Sequence, residues 1–313
     1  MSHHIFCLTI DIDPDGLSGK EINRDASSFK SFESLSSFSQ IINDELKMEI
    51  PLTWFIRIDD QMNFFFGNRF YLVEQYNIFF GKAIKERHEL AWHPHIYEKS
   101  ENEFIIPTSV EFCIDQLSSV HEEIKTNRLA FVSFRNGEGW HTNETMQFVE
   151  QLGFSVDSTA IPGVKKPTPH LLNWKETFNH PYFPSKENYQ LAGVEAGLLE
   201  MPMNTWFVKA PYDVQTKLRY MNPAVRSKIF EESIKANQTS LAAEEINIHT
   251  LISHPDEIAS QSFSDNLYGC TIDNYIDNIR LLINNAVKKN DTFEFLTMQQ
   301  AALAWRKSNH SIK

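Results

Sequence analysis

Short apolar runs punctuate the chain, and each stops at a polar cluster. Residues 5–10 lead to Asp11-Ile12-Asp13, residues 89–92 to His93-Pro94-His95, and residues 129–134 to Arg135-Asn136-Gly137. Residues 154–156 lead to Asp157-Ser158, and residues 249–252, within a strand-like stretch over 246–252, to His254-Pro255-Asp256. All read as strands, as do the aromatic and β-branched run 52–58 (LTWFIRI) and residues 293–297. Between them the apolar spacing becomes helical. Phe32, Leu35, Phe38, Ile41, Ile42 and Leu46 predict a helix over 31–46. Further helices are predicted over 70–87, 110–125, 143–152 and 272–288. Ser109 is placed to cap the helix over 110–125, and Gly153 to close the one over 143–152.

Such βα alternation implies a mostly parallel sheet with right-handed crossovers. Seven or eight units over 313 residues fit a closed barrel better than an open sheet. The carboxyl ends of parallel strands share one face, so the polar clusters should converge there. The chain reads as one domain over 1–313, without repeats or a clear linker. Residues 162–220, rich in Pro, Asn and aromatic residues, read as a long irregular insertion or substrate-binding loop.

Charge and composition narrow the function. The net charge of −12 argues against nucleic acid as a partner, since phosphate binding wants a basic face. The doublet Lys165-Lys166 reads as a solvated loop. No apolar run approaches the roughly 20 residues of a membrane helix. The first strand starts almost at Met1 with no signal-peptide pattern, so a cytoplasmic protein is expected. Cys7, Cys113 and Cys270 are odd in number and far apart, which fits reduced thiols better than disulfides.

The clusters carry the candidate chemistry. Asp11 and Asp13, two apart on an extended chain, point to one side and repel unless a cation or a shared proton relieves them. His93 and His95 can reach one ion from a loop stiffened by Pro94. His88, at the other end of that strand, reads as structural. Arg135 can orient a carboxylate at a strand end. His254 has the chemistry of a general acid. Asp157-Ser158, taken alone, reads as an Asx or Ser turn. Trp140 and Trp206 could stack on a sugar ring, with core packing an equal reading.

In order and spacing these motifs resemble the NodB-homology polysaccharide deacetylases, carbohydrate esterase family four, over nearly the whole chain. Thr9-Ile10-Asp11-Ile12-Asp13 is similar to that family's T-F-D-D-G motif, with the metal Asp displaced by one to Asp13. Residues 87–93 (RHELAWH) match the approach to its H-[ST]-x-x-H motif. There His93 is the first histidine and Tyr97 stands where the second would fall, so His95 substitutes. Residues 134–137, 153–158 and 251–255 resemble its arginine motif, the segment after it and its final histidine motif. The resemblance implies a distorted (β/α)7-type barrel. It implies a divalent metal, zinc being expected, on Asp13, His93 and His95, with Asp11 as base and Arg135 positioning it. His254 would be the acid, oriented by Asp157, and the substrate an acylated amino sugar or polysaccharide precursor. Two rivals stand beside it: a catalytically degenerate carbohydrate-binding protein of the same fold, and another metal-dependent barrel amidohydrolase or phosphoesterase.

Overall fold

A computed structural model describes residues 2–15, 29–167, 171–237, 246–260 and 266–310. The longest strand, β1 (His3–Ile12), is buried from His4 onward. It is the axis of an eight-stranded sheet with β2 (Leu52–Ile56) and β3 (Glu89–Trp92) on one side. A small hairpin of β4 (Glu98–Lys99) and β5 (Phe104–Ile105) lies off the sheet. The sheet continues through β6 (Ser133–Phe134), β7 (Val156–Asp157) and β8 (Leu199–Glu200). A second hairpin joins β9 (Thr205–Val208) to β10 (Lys217–Tyr220). Strands β11 (Ile246–Ser253) and β12 (Thr292–Phe295) return to β1.

The order is β11-β1-β2-β3-β6-β7-β8, with β12 beside the first half of β1, and every pairing is parallel. Met203, just past β8, bridges in parallel to Thr250 of β11 and closes the ring. The result is a distorted (β/α)7-type barrel in a single domain, as the alternation of elements implies.

Alternation along β1 sorts the core. Phe6, Leu8, Ile10 and Ile12 face outward into the large cluster beneath the helices. Ile5 and Cys7 face inward, with Phe55, Ala91, Val156, Leu199 and Ile248. Met298, Ala301 and Ala302 of the last helix (Met298–His310) join this inner cluster and plug the amino-terminal end of the barrel. The Met298 N–H donates to Thr53 Oγ1 (3.0 Å) and the Gln299 N–H to Glu89 Oε2 (2.9 Å), which satisfies two donors at that helix start. Continuing upward on the inner face, Thr9, Asp11 and then Asp13 reach the open end.

The helices over Val110–Thr126 and Ile272–Lys288 lie close to their predicted bounds, and Ser109 Oγ accepts from the Phe112 N–H (3.2 Å). Two predicted helices are interrupted. The run 31–46 forms Lys30–Glu33 and Phe38–Leu46, split where Ser34 Oγ donates back to the Lys30 carbonyl (2.9 Å). The run 70–87 forms Tyr71–Gln75 and Asn77–Lys85, split at Tyr76, whose ring packs edge-on against Phe29 and Phe32. Of the predicted strand 129–134 only Ser133–Phe134 pairs, because the Leu129 N–H still donates to Ile124 of the preceding helix. Within 162–220, β8 belongs to the barrel, and the β9–β10 hairpin overhangs its open end. No helix of the described residues is long and apolar enough to cross a membrane.

Candidate metal centre and active site

Ile12, Ile56, Trp92, Phe134, Asp157 and Glu200 are register partners across β1, β2, β3, β6, β7 and β8. The polar clusters that follow these positions therefore come level at the carboxyl rim. Asp11, Asp13, His93, His95, Arg135 and His254 all line one cavity of about 600 Å³ there.

His93 Nδ1 lies 2.8 Å from the Arg135 carbonyl. A carbonyl only accepts, so Nδ1 carries the proton and Nε2 presents a lone pair. His95 is fixed by a longer chain. The Tyr97 hydroxyl donates to Glu138 Oε1 (2.7 Å), so its oxygen accepts from His95 Nδ1 (3.3 Å). His95 Nε2 is then also a lone pair, and the two Nε2 atoms face each other at 3.1 Å. Two imidazole lone pairs at that distance repel unless a cation or proton lies between them. Asp13 Oδ1 stands 3.5 Å from His95 Nε2, and Asp11 Oδ2 stands 3.6 Å from His93 Nε2. Among the described residues Asp13, His93 and His95 form the one group of three metal-type side chains with ligand atoms within 4.8 Å of one another. Outer partners on both imidazoles are the usual support of histidine ligands. Burial, and then the Arg57 charge, hold His95 well below the ordinary imidazole range, so it is neutral and able to ligate.

Arg57 escaped the sequence reading. It follows β2 in an apolar run, yet its guanidinium is buried in this site. Nη1 donates to Asp13 Oδ1 (3.0 Å), Nε and Nη2 grip Asp59 (2.6 and 3.1 Å), and Nη2 also reaches Gln61 Oε1 (2.8 Å). Asp59 in turn accepts from the His95 N–H (3.0 Å) and from the Met62 N–H (3.0 Å), capping the helix Asp60–Phe66. Burial alone would raise the Asp13 pKa. The charges of Arg57 and His254 beside it outweigh this and hold Asp13 well below the usual carboxylate range.

Arg135 sits over the Phe55 ring at 3.9 Å, where the apolar interior meets the polar rim. Its Nη1 donates to Asp11 Oδ1 (2.6 Å) and Thr9 Oγ1 (3.0 Å), and its other nitrogens to the Ser158 carbonyl and hydroxyl (2.9 Å each). Gly137 packs flat on His95; a Cβ there would lie 2.2 Å from the imidazole ring, so only glycine fits.

His254 opens the short helix Pro255–Ile258. Its Nε2 lies 3.6 Å from Asp13 Oδ2 and its Nδ1 3.2 Å from Glu257 Oε2. Glu257 also accepts from the His254 N–H (2.8 Å) and from Asn222 Nδ2 (2.8 Å). Burial would lower the His254 pKa, but Glu257, Asp13 and Asp11 outweigh it and raise it to about 10.

Asp157 does not orient His254. It accepts from Thr159 Oγ1 (2.6 Å), sits 2.9 Å from His141 Nε2 in poor alignment for a hydrogen bond, and pairs with Glu200. Burial and then the Asp157 charge push Glu200 well above the usual carboxylate range. Glu257 takes the place expected of Asp157. Its sequence signal was a Glu at the third position after His254, on a helix started by Pro255. Trp140 is 0% and Trp206 4% exposed, and neither lines the cavity, so core packing is their role. The Trp206 ring packs edge-on against Phe230. His88 is structural, its Nδ1 accepting from the Leu52 N–H (3.0 Å). Lys165 and Lys166 are exposed in a loop, from which Lys166 Nζ donates to Glu138 Oε2 (3.4 Å).

No family model matches the chain, and no curated protein matches it. Two solved structures share its architecture. One, from Mycobacterium smegmatis, is assigned as a polysaccharide deacetylase, with 15% identity, 98% of this chain and 91% of that chain covered, and a TM-score of 0.53. The other is the Puue allantoinase, with 10% identity, 97% and 90% covered, and a TM-score of 0.55. At such identities the likeness is one of fold.

Proposed function

With the polysaccharide-deacetylase fold as premise, we propose that the chain is a metal-dependent hydrolase that removes an N-acyl group from an acylated amino sugar. The observation that carries this reading is the pair of facing Nε2 lone pairs beside two carboxylates. Asp13, His93 and His95 would hold a divalent ion, zinc by the preference of mixed nitrogen and oxygen donors. When bound there, such an ion supplies Lewis-acid polarisation to the amide carbonyl and to a water.

The chain's own residues would do the rest. Arg135 holds Asp11 through Oδ1 and leaves its second oxygen aimed into the cavity, where it takes the proton of the attacking water. The oxygen of that water adds to the carbonyl carbon, and the C–N bond then breaks. His254, charged at neutral pH and turned towards Asp13, gives its Nε2 proton to the departing nitrogen. The products are a carboxylic acid and a free amine. Glu257 serves as the positioning residue for that acid.

Metal analysis of the purified protein should find one zinc per chain. His93→Ala should abolish bound metal and N-acyl hydrolysis while circular dichroism shows an unchanged fold. Full hydrolysis by protein stripped of metal would overturn the assignment.

A further inference from the structure

The cavity is two-sided. Its floor is the charged rim, but its walls are largely aliphatic, from Ile161, Val164, Leu172, Val208, Leu218 and Val225. Several of the polar groups that reach it are already committed, although the buried Asn136 Oδ1 is not. Arg57 serves Asp13, Asp59 and Gln61, and Arg219 serves Asp213 and the Val208 carbonyl. Asn222 spends its amide on Glu257 and its carbonyl oxygen on Ser253 Oγ (2.6 Å) and the Ala224 N–H (2.8 Å). A buried hydroxyl left without a partner weakens binding. A substrate that filled the whole cavity with sugar hydroxyls would meet that cost repeatedly.

The aliphatic wall has a definite place. Gly139 lies under Ile161 and Leu172, where a Cβ would approach to 2.5 and 3.3 Å, and Gly163 lies under Leu218. This patch adjoins the side of the site where Gly137 packs on His95 and Tyr97 meets Glu138. Beside His254 the cavity carries Tyr220 and Tyr268, with Tyr220 Oη 3.5 Å from Glu257. With His254 as the acid, the departing nitrogen of a cleaved amide lies towards His254. The aliphatic lining of Ile161, Leu172 and Leu218 is then available to the acyl carbon chain.

We propose that the acyl group removed is an aliphatic chain longer than acetyl, lodged in this apolar wall, on a single amino sugar rather than within a polymer. The proposal rests on the amide-hydrolase reading above and specifies its substrate. A cavity of about 600 Å³ suits a discrete molecule of that size.

The test is a series of glucosamines N-acylated with acetyl, butanoyl, hexanoyl and octanoyl groups. The zinc-loaded protein should show kcat/KM rising by about threefold to fourfold per buried methylene until the wall is filled. Chitooligosaccharides should be poorer substrates than any of the series. Leu218→Asn should flatten the dependence on chain length. Calorimetric binding of hexanoate and octanoate against acetate gives a readout free of catalysis, and affinity should rise with length. Hydrolysis that is fastest for acetyl, with flat carboxylate binding, overturns the chain-length proposal and leaves the hydrolase reading intact. Length-dependent binding with no hydrolysis of any member overturns the hydrolase reading and keeps the apolar acyl site.

Discussion

Arg57 donates to three side chains from a buried position, and its guanidinium couples the metal side to the fold beneath it. Asp59, which it grips, also fixes the His95 backbone and caps a helix. Lysine would keep the charge but cannot grip Asp59 with two nitrogens while reaching Asp13. Arg57→Lys should therefore weaken zinc binding by roughly 10–100-fold, the usual cost of losing an outer partner of a ligand. It should also cost about 1–3 kcal/mol of stability for the hydrogen bonds left unmade. Competition against a zinc chelator and thermal unfolding of the metal-free protein read the two separately. Wild-type zinc affinity in a destabilised variant would show that Arg57 merely supports the strand. The metal-type residues were legible because Asp, His and Arg stand out at the ends of apolar runs. Arg57 was not, because one cation among LTWFIRI looks like a strand residue facing solvent, and only closure of the ring turns it inward. Tyr97 was visible only as a missing histidine, although its hydroxyl is what sets the tautomer of His95.

The short helix Pro255–Ile258 is the element that would make His254 an acid. Its third residue, Glu257, folds back on both the backbone and the ring of His254. Glu257→Gln keeps an acceptor for the backbone N–H and removes the charge beside the ring. An adjacent opposite charge is worth about 1–3 units of pKa. A general acid works protonated, so activity is lost as pH rises through its pKa. The basic limb of kcat/KM, set by a His254 raised to about 10, should move to lower pH in the variant. A bound cation beside Asp13 would already have drawn the wild-type limb downward, but the direction of the shift between the two proteins is unchanged. An unmoved limb would remove His254 from the acid role. Elements with strong periodicity, such as Ile272–Lys288, were readable from sequence because their apolar stripe needs no tertiary partner to be seen. The two-residue strands β6 and β7 were readable as apolar runs but not in their length, and β8 fell inside the stretch read as an irregular insertion. Their pairing is brief, and the chain around them is held by bonds to loops, such as Ser155 and Val156 both donating to the Val132 carbonyl.

At the scale of the whole molecule the barrel separates chemistry from stability along its axis. The carboxyl rim gathers charges that invite a cation, whereas the amino end must be closed without one. There His4 and His249 meet between β1 and β11. His4 Nε2 donates to Asp291 Oδ2 (3.3 Å), so His4 Nδ1 accepts from His249 Nε2 (2.9 Å). Both rings are neutral and stacked with Phe6. Burial, then His4 and Lys289, push the His249 pKa down to about 3, and burial also lowers that of His4. Both folded values lie below the 6.5 of an exposed imidazole. Between those values the unfolded chain binds more protons than the folded one, so stability increases with pH across that window. It is complete above about pH 6.5 and declines as pH falls towards 3, by about 1.4 kcal/mol per unit for each excluded proton. Thermal unfolding of the metal-free protein should therefore show a melting temperature that drops steadily below pH 6.5, before most carboxylates titrate. His249→Phe should preserve the stack on Phe6, free His4 to ionise against Asp291, and flatten that limb between pH 6.5 and 4.5. Equal slopes in the two proteins would place the acid sensitivity elsewhere, at the rim with its imidazole cluster, and would join at one end of the barrel the two properties assigned here to opposite ends.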